Sequence, residues 1–109
     1  MSTVSTHVLD AASGEPASGI VVRLERAGGG ELGRAVTDAD GRIPEFGVAE
    51  LSAGTYRLVF ETGPYLSAME RGTPFFPEVV VTFAADGLRP RYHVPLLLSP
   101  FSYSTYRGS

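Results

Sequence analysis

Thr55-Tyr56-Arg57-Leu58-Val59-Phe60-Glu61 sets Tyr56, Leu58 and Phe60 two residues apart, with Thr55, Arg57 and Glu61 between them. Successive side chains of a strand point to opposite faces, so this spacing predicts a β-strand with one buried face. Glu78 to Ala84 (EVVVTFA) repeats the pattern, with Val79, Val81 and Phe83 on one face. Working outward, 13 glycines and 8 prolines cut the chain into short runs, the punctuation of an all-β domain. Further strands are predicted at Thr6–Asp10, Ile20–Arg26, Leu32–Thr37, Arg42–Phe46, Arg91–Leu98 and Tyr103–Arg107, about eight in all. Ala12 to Ser18 reads as a turn, and Gly28-Gly29-Gly30 as a loop. Asp38-Ala39-Asp40-Gly41 reads as a tight turn that the aspartates can cap. One segment departs from the pattern. Pro64 to Arg71 (PYLSAMER) has a proline suited to a first helical turn, good helix formers and Gly72 as a stop, so a short helix near 64–71 is predicted. Pro74 and Pro77 bracket Phe75-Phe76 as a rigid connector. Residues 1–109 are expected to form a single domain, a sandwich of two packed antiparallel sheets, with a small barrel as the rival.

Composition removes several classes of function. The formal charge of -3 leaves no footprint for nucleic acid, and no basic run suggests an anionic membrane. No stretch is long and apolar enough to span a bilayer, and no basic and apolar leader opens the chain, so a cytoplasmic protein is expected. Lysine and cysteine are absent, which removes Schiff-base chemistry, a thiol nucleophile, disulfides and thiolate metal sites. Two histidines, His7 and His93, could bind zinc only with a third group such as Asp10, and no close His–His spacing is present, so no metal is expected. There is no Gly-x-Ser-x-Gly elbow, and the Gly28–Gly30 loop lacks a Walker lysine. No cofactor is expected.

Period two in Arg91-Tyr92-His93-Val94-Pro95-Leu96 sends Val94 and Leu96 inward and His93 outward, with Arg91 and Pro95. In the first strand Val8 faces inward, and His7 outward with Ser5 and Leu9. Patterning alone favours ordinary surface histidines. Imidazole is also the side chain best matched to proton transfer near neutral pH. Leu96 to Leu98, Phe101, Tyr103 and Tyr106 make the neighbouring surface apolar, which suggests subunit contact with the histidines in a cleft between copies. A symmetric interface with satisfied histidines and no chemistry is the alternative. Arg42 follows the Asp40-Gly41 turn, and its fork can clamp a planar oxyanion or carboxylate. Taken alone, it reads more readily as a solvated charge. The last four residues, Tyr106-Arg107-Gly108-Ser109, offer a flat aromatic, a cation, a backbone without Cβ and a hydroxyl beside a terminal carboxylate. On pattern alone they lock an interface as readily as they line a site.

Ser5-Thr6-His7-Val8-Leu9-Asp10, Arg91-Tyr92-His93-Val94-Pro95 and Tyr106-Arg107-Gly108-Ser109 together resemble the 5-hydroxyisourate hydrolase branch of the transthyretin-like family, over nearly the whole chain. Ser102-Tyr103-Ser104-Thr105 also looks like that family's tail, and Thr37 to Arg42 looks like the motif that precedes its active-site arginine. The resemblance implies a transthyretin-like (prealbumin-like) sandwich with a short helix after the fifth strand. It also implies a homotetramer, a dimer of dimers, with sites at the subunit interfaces. The implied reaction is hydrolysis of 5-hydroxyisourate to 2-oxo-4-hydroxy-4-carboxy-5-ureidoimidazoline in urate (purine) degradation. His7, Arg42, His93 and Ser109 take the catalytic positions, and Tyr106, Arg107 and Gly108 line or support the site. One histidine, with His7 favoured, activates water, while His93 and Arg42 hold the ring and its developing negative charge. Direct attack by water is favoured over an acyl-serine. The rival is a transthyretin-type carrier of a small molecule, and an Ig-like module is a more distant one. One departure stands out: Arg91 occupies a place where many relatives carry another histidine.

Overall fold

The computed structural model describes residues 3–48, 51–70 and 73–109. Within them the chain forms β1 (Thr3–Asp10), β2 (Glu15–Pro16), β3 (Val21–Arg26), β4 (Glu31–Val36), β5 (Arg42–Ile43) and β6 (Gly54–Phe60). It continues through α1 (Gly63–Glu70), β7 (Val79–Ala85), β8 (Arg91–Ser99) and β9 (Ser102–Thr105). One sheet runs β2-β1-β8-β9, with β5 also paired to β1, and the other runs β4-β3-β6-β7. This is the two-sheet all-β sandwich that the alternation predicts.

The two inner faces make the core. Tyr56, Leu58 and Phe60 of β6 and Val79 and Val81 of β7 meet Val4 and Val8 of β1 and Val94, Leu96 and Leu98 of β8. Full burial of such a side chain contributes roughly 1.5–3 kcal/mol. Truncating Leu58 to alanine should therefore cost about 2–5 kcal/mol, cavity included. Phe83 is only half-buried, because β7 is an edge strand, and it leans on Tyr56 with ring centroids 6.0 Å apart.

Several details differ from the sequence reading, and each has a local cause. Not every pair is antiparallel: β1 and β8 run parallel, with Ser5 opposite His93 and His7 opposite Pro95. A parallel pair needs a long crossover, and here the chain builds the whole second sheet between the two strands. β5 stops at Ile43 rather than Phe46, since Pro44 has no N–H to continue a ladder, although Phe46 still reaches the core. β9 stops at Thr105 rather than Arg107, because Pro95 opposite offers no N–H. Instead the Thr105 hydroxyl donates to the Pro95 carbonyl at 2.7 Å. The segment read as a turn at 12–18 holds β2, paired to the end of β1.

The helix begins one residue before the predicted start. The predicted stop at Arg71 and Gly72 lies outside the described residues. Leu66 anchors the helix in the core, and the Tyr65 hydroxyl donates to Asp10 Oδ2 at 2.8 Å, tying the helix to β1. Burial and this carboxylate push the Tyr65 phenol up to about 12. Among the described residues no helix is long and apolar enough to cross a membrane.

Candidate active site

The outer face of the β1–β8 sheet gathers most of the chemistry. Val8 is buried, so its neighbour His7 points outward and is half-buried; the same alternation turns His93 outward beside buried Tyr92 and Val94. Register then sets two parallel rows on this face. Arg42 of β5, His7 of β1 and Pro95 of β8 are successive partners. Ser5 of β1, His93 of β8 and Gly108 of the tail form the other row. Partners in a row share a face, and the rows lie two residues apart along the strands. By ordinary strand spacings, the Cα atoms of His7 and His93 are then about 8 Å apart.

Arg42 is placed by the turn before it. Asp38 Oδ1 accepts the N–H groups of Asp40 and Arg42, both at 2.9 Å, and the Gly41 carbonyl accepts the Val8 N–H at 2.7 Å. Gly41 sits at φ 74°, and an added Cβ would lie 2.4 Å from the Val8 carbonyl oxygen, so only glycine fits there. Arg42 is exposed and has no carboxylate within ion-pair distance among the described residues.

The tail closes the other side. The Gly108 N–H donates to the His93 carbonyl at 2.8 Å, bringing the tail backbone against the imidazole. A Cβ on Gly108 would stand 2.5 Å from His93 Cδ2. Glycine is needed here for close approach, as the sequence suggests.

A cleft of about 270 Å³ results, lined by Ser5, Asp38, Arg42, Arg91, His93 and Ser109 among others. His7 flanks it beside Arg42 rather than lining it. Tyr106 and Arg107 are not in its lining. In the single chain both face a second groove of about 220 Å³ between β7 and the tail, with Phe83 and Val94.

Two guanidinium groups, those of Arg42 and Arg91, line the cleft with His93. Burial, followed by electrostatic effects of the neighbouring His7, Arg42 and Arg91, holds the His93 imidazole below its usual 6.5, with a contact to the Ser5 backbone pulling the other way. His93 is therefore neutral near pH 7. Its Nδ1 lies 2.8 Å from the Ser5 hydroxyl, and Ser5 is only 3% exposed. Ser5 is the cleft residue to which sequence reasoning gave no role: its link to His93 spans 88 positions and exists only once β1 pairs with β8. A neutral imidazole, a second imidazole, an unpaired guanidinium and a hydroxyl can together bind a planar, anion-forming heterocycle and move a proton. Asp10 has both carboxylate oxygens engaged within the fold. Its Oδ1 accepts the Ala12 and Ser13 N–H groups and its Oδ2 the Tyr65 hydroxyl. Among the described residues no three histidine or carboxylate groups converge as a metal site.

Residues 4–108 match the family model described as the HIUase/Transthyretin family. The chain is 45% identical to the 5-hydroxyisourate hydrolase of Caulobacter vibrioides, covering 100% of both chains. Its structure is similar to that of Klebsiella pneumoniae 5-hydroxyisourate hydrolase, with a TM-score of 0.87, 42% identity and 100% of both chains covered. It is also similar to sea bream transthyretin in complex with thyroxine, with a TM-score of 0.84 and 35% identity over 97% of this chain and 94% of that one.

Proposed function

This chain belongs to the HIUase/transthyretin family, and we propose that it hydrolyses 5-hydroxyisourate to 2-oxo-4-hydroxy-4-carboxy-5-ureidoimidazoline. Its chemistry is that of a hydrolase acting on a cyclic amide. The observation that carries the reading is the pair of rows on one sheet face, Arg42–His7 and Ser5–His93–Gly108, with Ser109 at the cleft beside them.

In this mechanism His7 takes a proton from water as the water oxygen bonds to the ring carbonyl carbon. The carbonyl electron pair moves onto oxygen, where Arg42 and His93 hold the negative charge. Collapse of the tetrahedral species breaks the carbon–nitrogen bond. The departing ring nitrogen takes a proton from the His7 imidazolium, directly or through the Ser109 hydroxyl. One water is consumed, one acid and one N–H are formed, and His7 returns to its neutral form. No acyl-enzyme is needed. Gly108 supports the site by bringing the tail against His93, and Tyr106 and Arg107 anchor that tail in the neighbouring groove.

Assembly is part of the reading. Phe101, Tyr103 and Tyr106 are exposed next to the edge strand β9. A symmetric homotetramer, a dimer of dimers, would cover such a surface and shield the clefts from bulk water. Light scattering at micromolar concentration should give four copies, and a monomer would remove this part of the reading.

The likeness to a thyroxine-bound transthyretin makes carriage the competing function. The two readings separate in one measurement, the ultraviolet decay of freshly made 5-hydroxyisourate with and without protein. Acceleration supports the hydrolase. Unchanged decay together with saturable thyroxine binding would favour the carrier.

A further inference from the structure

We infer that Ser5 is a positioning residue: its buried hydroxyl donates to His93 Nδ1, holds the imidazole as the Nε2–H tautomer, and so makes His93 a hydrogen-bond donor while the base is His7. This deepens the hydrolase reading and rests on it.

The inference comes from counting protons. A serine hydroxyl carries one hydrogen and a neutral imidazole carries one N–H. Ser5 Oγ and His93 Nδ1 are 2.8 Å apart, and only one of the two hydrogens can lie between them. Ser5 is 3% exposed, and its hydroxyl makes no other hydrogen bond among the described residues. If Nδ1 carried the proton and donated it, the serine hydrogen would have no protein acceptor among the described residues, an arrangement largely buried hydroxyls avoid. If serine donates, its hydrogen is satisfied, Nδ1 accepts, and the imidazole proton sits on Nε2.

Geometry makes the pair rigid. Ser5 and His93 are register partners on adjacent strands, so the backbone fixes their separation. On the other side Gly108 leaves no room for a methyl group beside Cδ2, and Pro95 is close behind. Cδ2 is bonded to Nε2, so the tail packs against the ring beside the atom that carries the proton. Of the groups around His93, Arg42 and Arg91 are cations, Asp38 is a carboxylate, Ser109 brings the chain end, and His7 flanks the cleft as the second imidazole. Burial, with the guanidinium groups of Arg42 and Arg91 nearby, opposes a second proton on His93. A neutral ring protonated at Nε2 has no lone pair there to accept a proton from water. It can only donate, which suits an oxyanion, and proton abstraction passes to His7.

The test reads the tautomer itself. In ¹⁵N NMR of the histidine-labelled, assembled protein, His93 should show a bare Nδ1 and a protonated Nε2. Ser5→Ala should give a mixture of tautomers and lower kcat about 10-fold or more, with KM changed less than about twofold. Ser5→Thr, which keeps the hydroxyl, should restore the tautomer and most of kcat. His93→Gln, which keeps an N–H donor, should be about 10-fold more active than His93→Ala, whereas His7→Gln should be as inactive as His7→Ala. A wild-type spectrum with the proton on Nδ1 and a bare Nε2 would overturn the inference and return the base role to His93, leaving the hydrolase reading intact. Failure of the wild-type protein to speed 5-hydroxyisourate decay would overturn the hydrolase reading instead, with the tautomer still measurable.

Discussion

Arg23 and Arg42 are both outward-facing arginines on β-strands, yet their surroundings are opposite. Arg23 of β3 sits among four carboxylates: Glu61 at 2.6 Å, Glu25 at 3.3 Å, Glu78 at 3.5 Å and Glu31 at 4.0 Å. Arg34, its partner on β4, is tied to Glu31 at 2.8 Å. Hydrogen bonding to Glu25 leads the effects that raise the Arg23 pKa, so its charge is fully compensated. Across the sandwich, Arg42 and Arg91 meet no carboxylate at ion-pair distance among the described residues. The Asp38 Oδ1 in their cleft is already occupied by backbone N–H groups. Here the uncompensated charge bears on His93 and opposes its protonation. One outer face thus pairs its arginines with carboxylates, while the other leaves two guanidinium groups without an ion pair among the described residues. Folded chains break local charge balance in this way where binding or catalysis makes use of the imbalance.

The largest test of this contrast is substitution on the two faces. His7→Ala should lower turnover about 10²–10⁴-fold, as loss of a general base does, and Arg42→Ala about 10²–10³-fold. Circular dichroism should stay native in both, since neither side chain is in the core. Arg23→Ala should leave turnover within about twofold and lower stability by only about 1 kcal/mol, the scale of exposed ion pairs. Equal activity losses from Arg23→Ala and Arg42→Ala would end the distinction between the faces.

Next in size is the tail. Deleting Tyr106 to Ser109, or adding a tag after Ser109, should cost about 10²-fold in kcat/KM, the scale of a group displaced by ~1 Å. A tag before Met1 should be milder. If the two tagged forms are equally active at matched oligomeric state, the tail is not part of the site. Gly108→Ala probes the same contact with a single methyl group. The His93 ring must move to admit it, and a drop of about 10-fold in kcat is expected with the melting temperature nearly unchanged. A wild-type rate would show that the tail does not press on His93.

The smallest expected effect is on pH. Because the folded pKa of His93 lies below its ordinary 6.5, its share of stability is present above that pH and lost as pH falls through the folded value. Arg91→Glu replaces a repelling cation by an anion, so the His93 titration followed by NMR should move to higher pH and the stability lost on acidification should shrink. A shift in the opposite direction would mean that Arg91 does not act on His93 through charge.

Much of this was legible from local pattern. Tyr56, Leu58, Phe60, Val79 and Val81 declared the inner faces, because strand alternation is a property of consecutive residues. The outward setting of His7 and His93 followed from the same rule, and Asp38 and Gly41 marked the turn that presents Arg42. The parallel β1–β8 pair was not legible. Strand direction depends on the path of the chain between the two strands, which no short window contains.

The sequence by itself therefore determined the class of fold, the faces of the strands, and the residue types available for proton transfer and anion binding. Each of these depends on neighbours within a few positions. Only the tertiary structure decided that Ser5 would hold His93, that Gly108 would close over it, and that Tyr106 and Arg107 would turn toward another groove. Those contacts join residues far apart in sequence. They arise when burial of the two inner faces fixes one register between strands, and shifting that register by one residue would turn every outward side chain into the core.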